Sequence, residues 1–140
     1  MDEMLERGRE ILAAQPFSRL LGADLVRWSK DLTELRVPLS EHTGQHLGIT
    51  HGGVICYAAD NALTFAGAAA MESGVVTAEI KVNYLRPAVG GELLARASAI
   101  HAGRTQAVVR CDVYVRAGGA ETLCATALGT VRKREDRPAG

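Results

Sequence analysis

The sequence predicts an α+β domain in which one long buried helix is wrapped by a curved antiparallel sheet. Three observations carry that expectation. From Val54 to Met71 runs a segment whose only polar members are Asp60, Asn61 and Thr64. After it come four stretches in which apolar and polar residues alternate, separated by Gly90-Gly91, Gly103 and Gly118-Gly119. Two shorter strand-like stretches precede it. A helix apolar nearly all round is enclosed by protein, and a one-sided strand packs its apolar face on something. Wrapping the strands round the helix satisfies both.

The elements follow in order. Residues 3–14 read as a short helix with Met4, Leu5, Ile11 and Leu12 on one side, which Pro16 stops or redirects. Residues 23–28 and 32–39 read as strands joined by the polar turn Ser29-Lys30-Asp31. Residues 40–50 are a polar, glycine-containing loop. Past the helix, Ala78, Ile80, Val82 and Tyr84 alternate with polar residues in 76–86, and Leu93, Ala95, Ala97 and Ala99 share a face in 92–100. Ala107, Val109, Cys111, Val113 and Val115 do so in 105–116, and Leu123, Ala125, Ala127, Gly129 and Val131 in 121–132. The whole chain, 1–140, is expected to be one domain, with 1–16 as an N-terminal helix and 132–140 as a charged tail.

Composition narrows the function. Sixteen Lys and Arg balance sixteen Asp and Glu. A nucleic-acid binder normally needs a basic excess, so none is expected as a partner. The central segment centres a carboxylate and is rich in alanine rather than leucine, so no membrane span is expected either. Cys56, Cys111 and Cys124 are three, widely spaced, and form no C-x-x-C pair. They read as buried free thiols in a reducing compartment, with neither zinc nor disulfide chemistry. The charged start MDEMLERGRE has no signal-peptide core, and a cytoplasmic location is expected.

Asp60 is the strongest clue to chemistry. A carboxylate on a buried helix carries a large desolvation cost unless something pairs with it. Thr64, four residues on, shares its face and is a candidate to hold the same water. His51-Gly52-Gly53 opens the helix, where glycines leave backbone N–H groups open to an incoming carbonyl at the positive end of the helix dipole. A simple tight turn explains the same tripeptide. Asp60 follows His51 by nine positions, about 13 Å along an α-helix, so it cannot reach a carbonyl bound at its own helix's N-terminus. If both serve one site, the second group comes from another copy of the chain. Gln45 and His46 lie in the preceding loop. Lys81, Arg86, Arg104 and Arg110 suit either solvated faces or phosphate contacts.

The runs HGGVICYAADNALT (51–64) and TAEIKVNYLRPA (77–88), GRT at 103–105 and ATALGTV (125–131) resemble the hotdog-fold acyl-CoA thioesterases. The closest branch is the PaaI-like group of the phenylacetate pathway, related to hydroxybenzoyl-CoA thioesterases. The resemblance covers nearly the whole chain. It implies that Asp60 is the catalytic carboxylate and that Gln45 lies near the thioester. It implies that the Gly52 N–H polarises the thioester carbonyl beside His51, and that Thr64 or Thr77 holds the attacking water. Gly53, Thr77 and Arg104 are the further substrate-binding candidates. The carboxylate then belongs to the partner subunit of a homodimer, and two dimers commonly pair into a tetramer.

The expected activity is hydrolysis of a small, medium or aryl acyl-CoA to free acid and CoA. Asp60 acts as base or nucleophile. No metal or cofactor is expected beyond the CoA of the substrate. Two alternatives stand beside it. One is an acyl-thioester dehydratase or hydratase, which pairs a His with the acid. The other is a non-catalytic acyl-CoA-binding protein.

Overall fold

The computed structural model describes residues 2–135. Helix α1 spans Glu3–Ala13 and is capped by Asp2, whose carboxylate accepts the Leu5 N–H at 3.1 Å. Gly8 and Leu12 form its buried face, with Gly8 set against Leu25 and Trp28. Ile11, expected on that face, is instead 41% exposed. Gly8 brings the helix so close to the first strand that the contact stripe runs through positions 5, 8 and 12.

Pro16 does redirect the chain, and it also starts a second helix, α2 (Pro16–Leu21), with proline in its first turn and Gly22 as a left-handed C-cap. A helix of six residues is too short to show periodicity, so the sequence does not reveal it. Strands β1 (Asp24–Trp28) and β2 (Thr33–Pro38) follow. A single 3-10 turn, Glu41–Thr43, is closed by reciprocal Ser40 and Thr43 hydrogen bonds. Helix α3 then runs from Gly52 to Met71, followed by β3 (Val75–Tyr84), β4 (Glu92–Ala102), β5 (Gln106–Ala117) and β6 (Ala120–Lys133).

All six strands form one antiparallel sheet in the order β1-β2-β4-β5-β6-β3. Strand β3 is therefore an edge, hydrogen-bonded to β6 along one side. The sheet curves round α3, ten residues of which are buried. By length and hydropathy that helix qualifies as a bilayer span, but here it is the core of the fold. The fit depends on small side chains. Ala58, Ala59 and Ala62 are fully buried, and a Cβ added to Gly67 would run into Val131 Cγ2. With few aromatics in the chain, the core is built mainly from Ala, Val and Leu.

The inward sets predicted for β4 and β5 are observed. Two bulges alter the others. In β3 the register shifts between Thr77 and Glu79, so Ala78 is the extra residue and is exposed, while Thr77 turns inward with Ile80 and Val82. Tyr84, also expected inward, is 54% exposed. In β6 Cys124 is the extra residue, fully buried, and Leu123 is only half-buried.

The expected charged tail is partly structure. Arg132 and Lys133 belong to β6, and the Arg134 N–H donates to Gly74 O at 2.8 Å. The remainder, 136–140, lies outside the described residues.

Because α3 and the sheet meet across Gly67, Gly67→Ala is expected to overpack the contact at a cost of about 1–3 kcal/mol. A thermal melt should show a clearly lowered Tm. An unchanged Tm would mean that the helix stands further from the sheet.

Candidate active site

The start of α3 is built by His51. It is the N-cap, with extended backbone (φ −61°, ψ 133°), and its Nδ1 accepts the Gly53 N–H at 2.8 Å. An accepting Nδ1 carries no proton, so the neutral ring holds its hydrogen on Nε2. Gly53 has to be glycine for this arrangement, because a Cβ there would lie 2.9 Å from Nδ1. Gly53, expected among the substrate-binding residues, gives its N–H to this cap.

The Gly52 N–H is different. It has no acceptor among the described residues, while the next donor, Val54 N–H, is bound by His51 O at 2.9 Å. Tyr84 lies over this glycine and its hydroxyl donates to Gly52 O at 3.0 Å. Burial raises the Tyr84 phenol above its ordinary value, with the Cys56 charge a smaller cause.

Gln45 is in the loop just before the helix, which is closed by a Gly44–Thr50 bridge. Its side-chain oxygen accepts the Leu47 N–H at 2.5 Å, and its amide N–H groups have no acceptor among the described residues. His46 is exposed.

Two turns along α3 from Gly52, Asp60 is half-buried and its Oδ1 accepts the Thr77 hydroxyl at 2.6 Å. That supplies the partner a carboxylate on a buried helix requires. Thr64, expected to work beside Asp60, instead donates to Asn61 O one turn back at 2.8 Å. Helical threonines commonly satisfy themselves this way. Of the two candidates for holding water with Asp60, the described contacts thus join Thr77 to it and leave Thr64 committed elsewhere.

Cys56 lies on the same stripe, midway between Gly52 and Asp60. It is half-buried rather than buried as expected, and burial and the nearby Asp60 charge raise its thiol pKa, in that order. Cys111 and Cys124 are buried, and burial pushes Cys124 up to about 11. All three stay as thiols near neutral pH.

Within one chain the two halves do not meet. Gly52 and His51 occupy the start of a 20-residue helix, and Asp60 with Thr77 its middle. Arg104 is farther still. It follows Ala102, whose partner is Ala107, and Gln106 pairs with Arg132, at the end of the sheet where β3 begins after the C-terminus of α3. That is roughly 30 Å of helix from Gly52. Among the described residues no three of His, Cys, Asp and Glu converge as metal ligands.

Two features here do not stand out in the sequence. Tyr84 reads there only as a strand residue. Cys56 could have been found from the i, i+4, i+8 spacing of 52, 56 and 60.

The thioesterase superfamily pattern matches residues 47–122. The chain belongs to that superfamily. The proofreading thioesterase EntH of Klebsiella pneumoniae is 30% identical over 112 residues, covering 79% of this chain and 80% of EntH. The medium/long-chain acyl-CoA thioesterase YigI of Escherichia coli is 29% identical over 125 residues, 76% of this chain and 80% of YigI. A thioesterase family protein from Silicibacter pomeroyi superposes with a TM-score of 0.86 at 31% identity, over 92% of this chain and 96% of that one. The Escherichia coli PaaI protein shares the fold, with a TM-score of 0.81 at 17% identity over 94% of each chain. The hotdog fold and the thioesterase family expected from the sequence are both borne out.

If Thr77 orients Asp60 for the reaction, Thr77→Val removes a hydrogen bond to a charged group, and kcat should fall by about 10- to 100-fold with the fold intact. A kcat within about two-fold of wild type would leave Thr77 with a packing role only.

Proposed function

We propose that this protein is an acyl-CoA thioesterase that hydrolyses small, medium or aryl acyl-CoA esters at sites shared between two protomers. The observation that carries the reading is the Asp60–Thr77 hydrogen bond of 2.6 Å. It fixes one carboxylate oxygen and leaves the other to handle water. The names of EntH and YigI support thioester chemistry, and that of YigI supports a CoA ester.

In the proposed mechanism the thioester carbonyl accepts the free Gly52 N–H at the positive end of α3, which stabilises the oxyanion of the tetrahedral intermediate. His51 fixes that helix start through its cap and offers its Nε2–H, and the Gln45 amide helps orient the ester. Asp60 of the other protomer takes a proton from water as the new C–O bond forms. The C–S bond then breaks, and the proton passes to the departing CoA thiolate. In the nucleophilic variant Asp60 attacks the carbonyl, the C–S bond breaks to release the CoA thiolate, and water then hydrolyses the resulting anhydride to free acid and the Asp60 carboxylate. The cap engages the Nδ1 of His51 (2.8 Å), so the acid paired with Thr77 is better placed than a His–acid pair to react. This favours hydrolysis over dehydration.

Two features support the dimer. One side of β3 carries no strand partner among the described residues, and the apolar Val76, Tyr84 and Leu85 on and just beyond it are about half exposed. We further propose that dimers pair into tetramers. The three free thiols fit a reducing, cytoplasmic location.

The test is thiol release across a panel of CoA esters from acetyl to aryl and long-chain, with Asp60→Asn beside the wild type. Release by the wild type and its loss in a folded variant are expected. Unchanged release in Asp60→Asn would refute the role of the carboxylate. No release on any ester would refute the activity.

A further inference from the structure

Strand β3 touches α3 with two hydroxyls. Thr77 bonds Asp60 at the middle of the helix. Tyr84, at the far end of the strand, has the inward parity of Ile80 and Val82 and reaches the helix start. Its ring lies 3.5 Å from the place a Gly52 Cβ would take, and its hydroxyl donates to Gly52 O at 3.0 Å. A carbonyl oxygen can only accept, so the direction of this bond is fixed by chemistry. Two lone pairs allow it beside the Cys56 N–H that the helix itself brings to Gly52 O.

Gly52 O and the Gly53 N–H belong to one peptide group. That N–H donates to His51 Nδ1 at 2.8 Å. A side chain therefore holds this peptide at each end, and the donors run head to tail. The Tyr84 hydroxyl gives to Gly52 O, the Gly53 N–H gives to Nδ1, and the His51 Nε2–H is left over, with no acceptor among the described residues. Hydrogen bonds in such a row polarise one another. A bond accepted at Gly52 O makes the peptide N–H a stronger donor. A bond accepted at Nδ1 draws charge from the ring and strengthens Nε2–H in turn. No proton changes place.

Tyr84 and Gly52 are 32 positions apart, so the fold and not sequence neighbourhood makes this contact. Burial raises the phenol above its ordinary value, and it stays a protonated donor throughout the neutral range. In one protomer Tyr84 is still 54% exposed. It ends the edge strand that the dimer reading covers with a second copy, and excluding water there strengthens every bond in the row.

We infer that Tyr84 is a positioning residue, which acts through the peptide between Gly52 and Gly53 and the His51 ring to strengthen the Nε2–H offered to the thioester oxygen. The inference rests on the thioesterase reading above. That oxygen gains negative charge as the tetrahedral intermediate forms. A donor strengthened in advance therefore helps the transition state more than the bound ester. Tyr84 itself touches neither ester nor water, and its hydroxyl should bear on kcat while KM stays nearly unchanged.

The experiment is a double-mutant cycle on thiol release. Tyr84→Phe keeps the ring over Gly52 and removes only the hydroxyl, and kcat should fall by about 3- to 10-fold. In His51→Ser a hydroxyl can still cap the helix but stops short of the ester. There the same Tyr84→Phe change should alter kcat by less than about two-fold, because the row no longer reaches the substrate. An equal loss in both backgrounds would make Tyr84 a packing residue and overturn the inference. So would a Tyr84→Phe kcat within about two-fold of the wild type in the native background. A second measurement needs no turnover. Nuclear magnetic resonance at about pH 8, where a histidine is ordinarily neutral, should find the His51 ring protonated on Nε2 alone. In Tyr84→Phe the Gly53 amide proton should move upfield while that of Gly67 stays. A proton on Nδ1, or an unmoved Gly53 signal, would overturn the inference. If His51→Ser fails to fold or to turn over, these spectra decide alone. If the wild type hydrolyses no CoA ester, the thioesterase reading fails separately, and the spectra still support or overturn the polarised row.

Discussion

A single extra residue in β3 decides whether Asp60 has a partner. Side chains alternate along a strand, so with Ile80 and Val82 facing the helix an unbroken β3 would turn Thr77 away from it. The bulge at Ala78 changes the parity, and Thr77 faces inward at the level of Asp60. The rest of the site is arranged around that contact. The helix bearing the carboxylate is enclosed by the sheet, its alanines allow close approach, and its open N-terminus stands two turns away with an unused Gly52 N–H. A carboxylate in such a place is tolerable because one oxygen is bonded by Thr77 and the residue is only half-buried.

Much of this was legible in the sequence. The long helix could be read because it is apolar all round, and β4 and β5 because one face is covered along their whole length. His51 and Gly52 could be read because a helix start has a recognisable chemistry. What stayed hidden has physical reasons too. A bulge shifts the register by one residue and leaves no mark in composition, so Ala78 and Cys124 were invisible and Thr77 appeared to face outward. Thr64 was placed beside Asp60 by spacing alone, whereas its hydroxyl takes the carbonyl available one turn back. The six residues of α2 are too few for a period, and only Pro16 hinted at them.

The N-terminal elements do more than cover the core. Through Gln15 and Ser18 they reach Asn61 and Tyr57 of the helix, within one residue of Asp60 at the nearest. The outer face of the sheet is organised separately, with Arg96 held between Glu34 at 2.9 Å and Glu121 at 2.7 Å. That pairing draws the Glu121 carboxyl below its ordinary value through the Arg96 hydrogen bond. It lies on the convex side, away from the helix, so the sheet separates a charged exterior from the side where chemistry is expected.

The central claim is that Asp60 of one protomer acts on a thioester held by Gly52 of the other. Gly52→Pro removes the N–H at the first helical position, where proline is well tolerated. His51 already has the extended conformation that a following proline requires, and Tyr84 leaves ordinary van der Waals room at 3.5 Å. Asp60→Asn and Gly52→Pro chains, each inactive alone, should regain thiol release when co-expressed. In a two-fold dimer the mixed species has one intact site, so random pairing returns about a quarter of wild-type activity. No recovery from mixed dimers shown to form would contradict the account and put both groups in one chain's site.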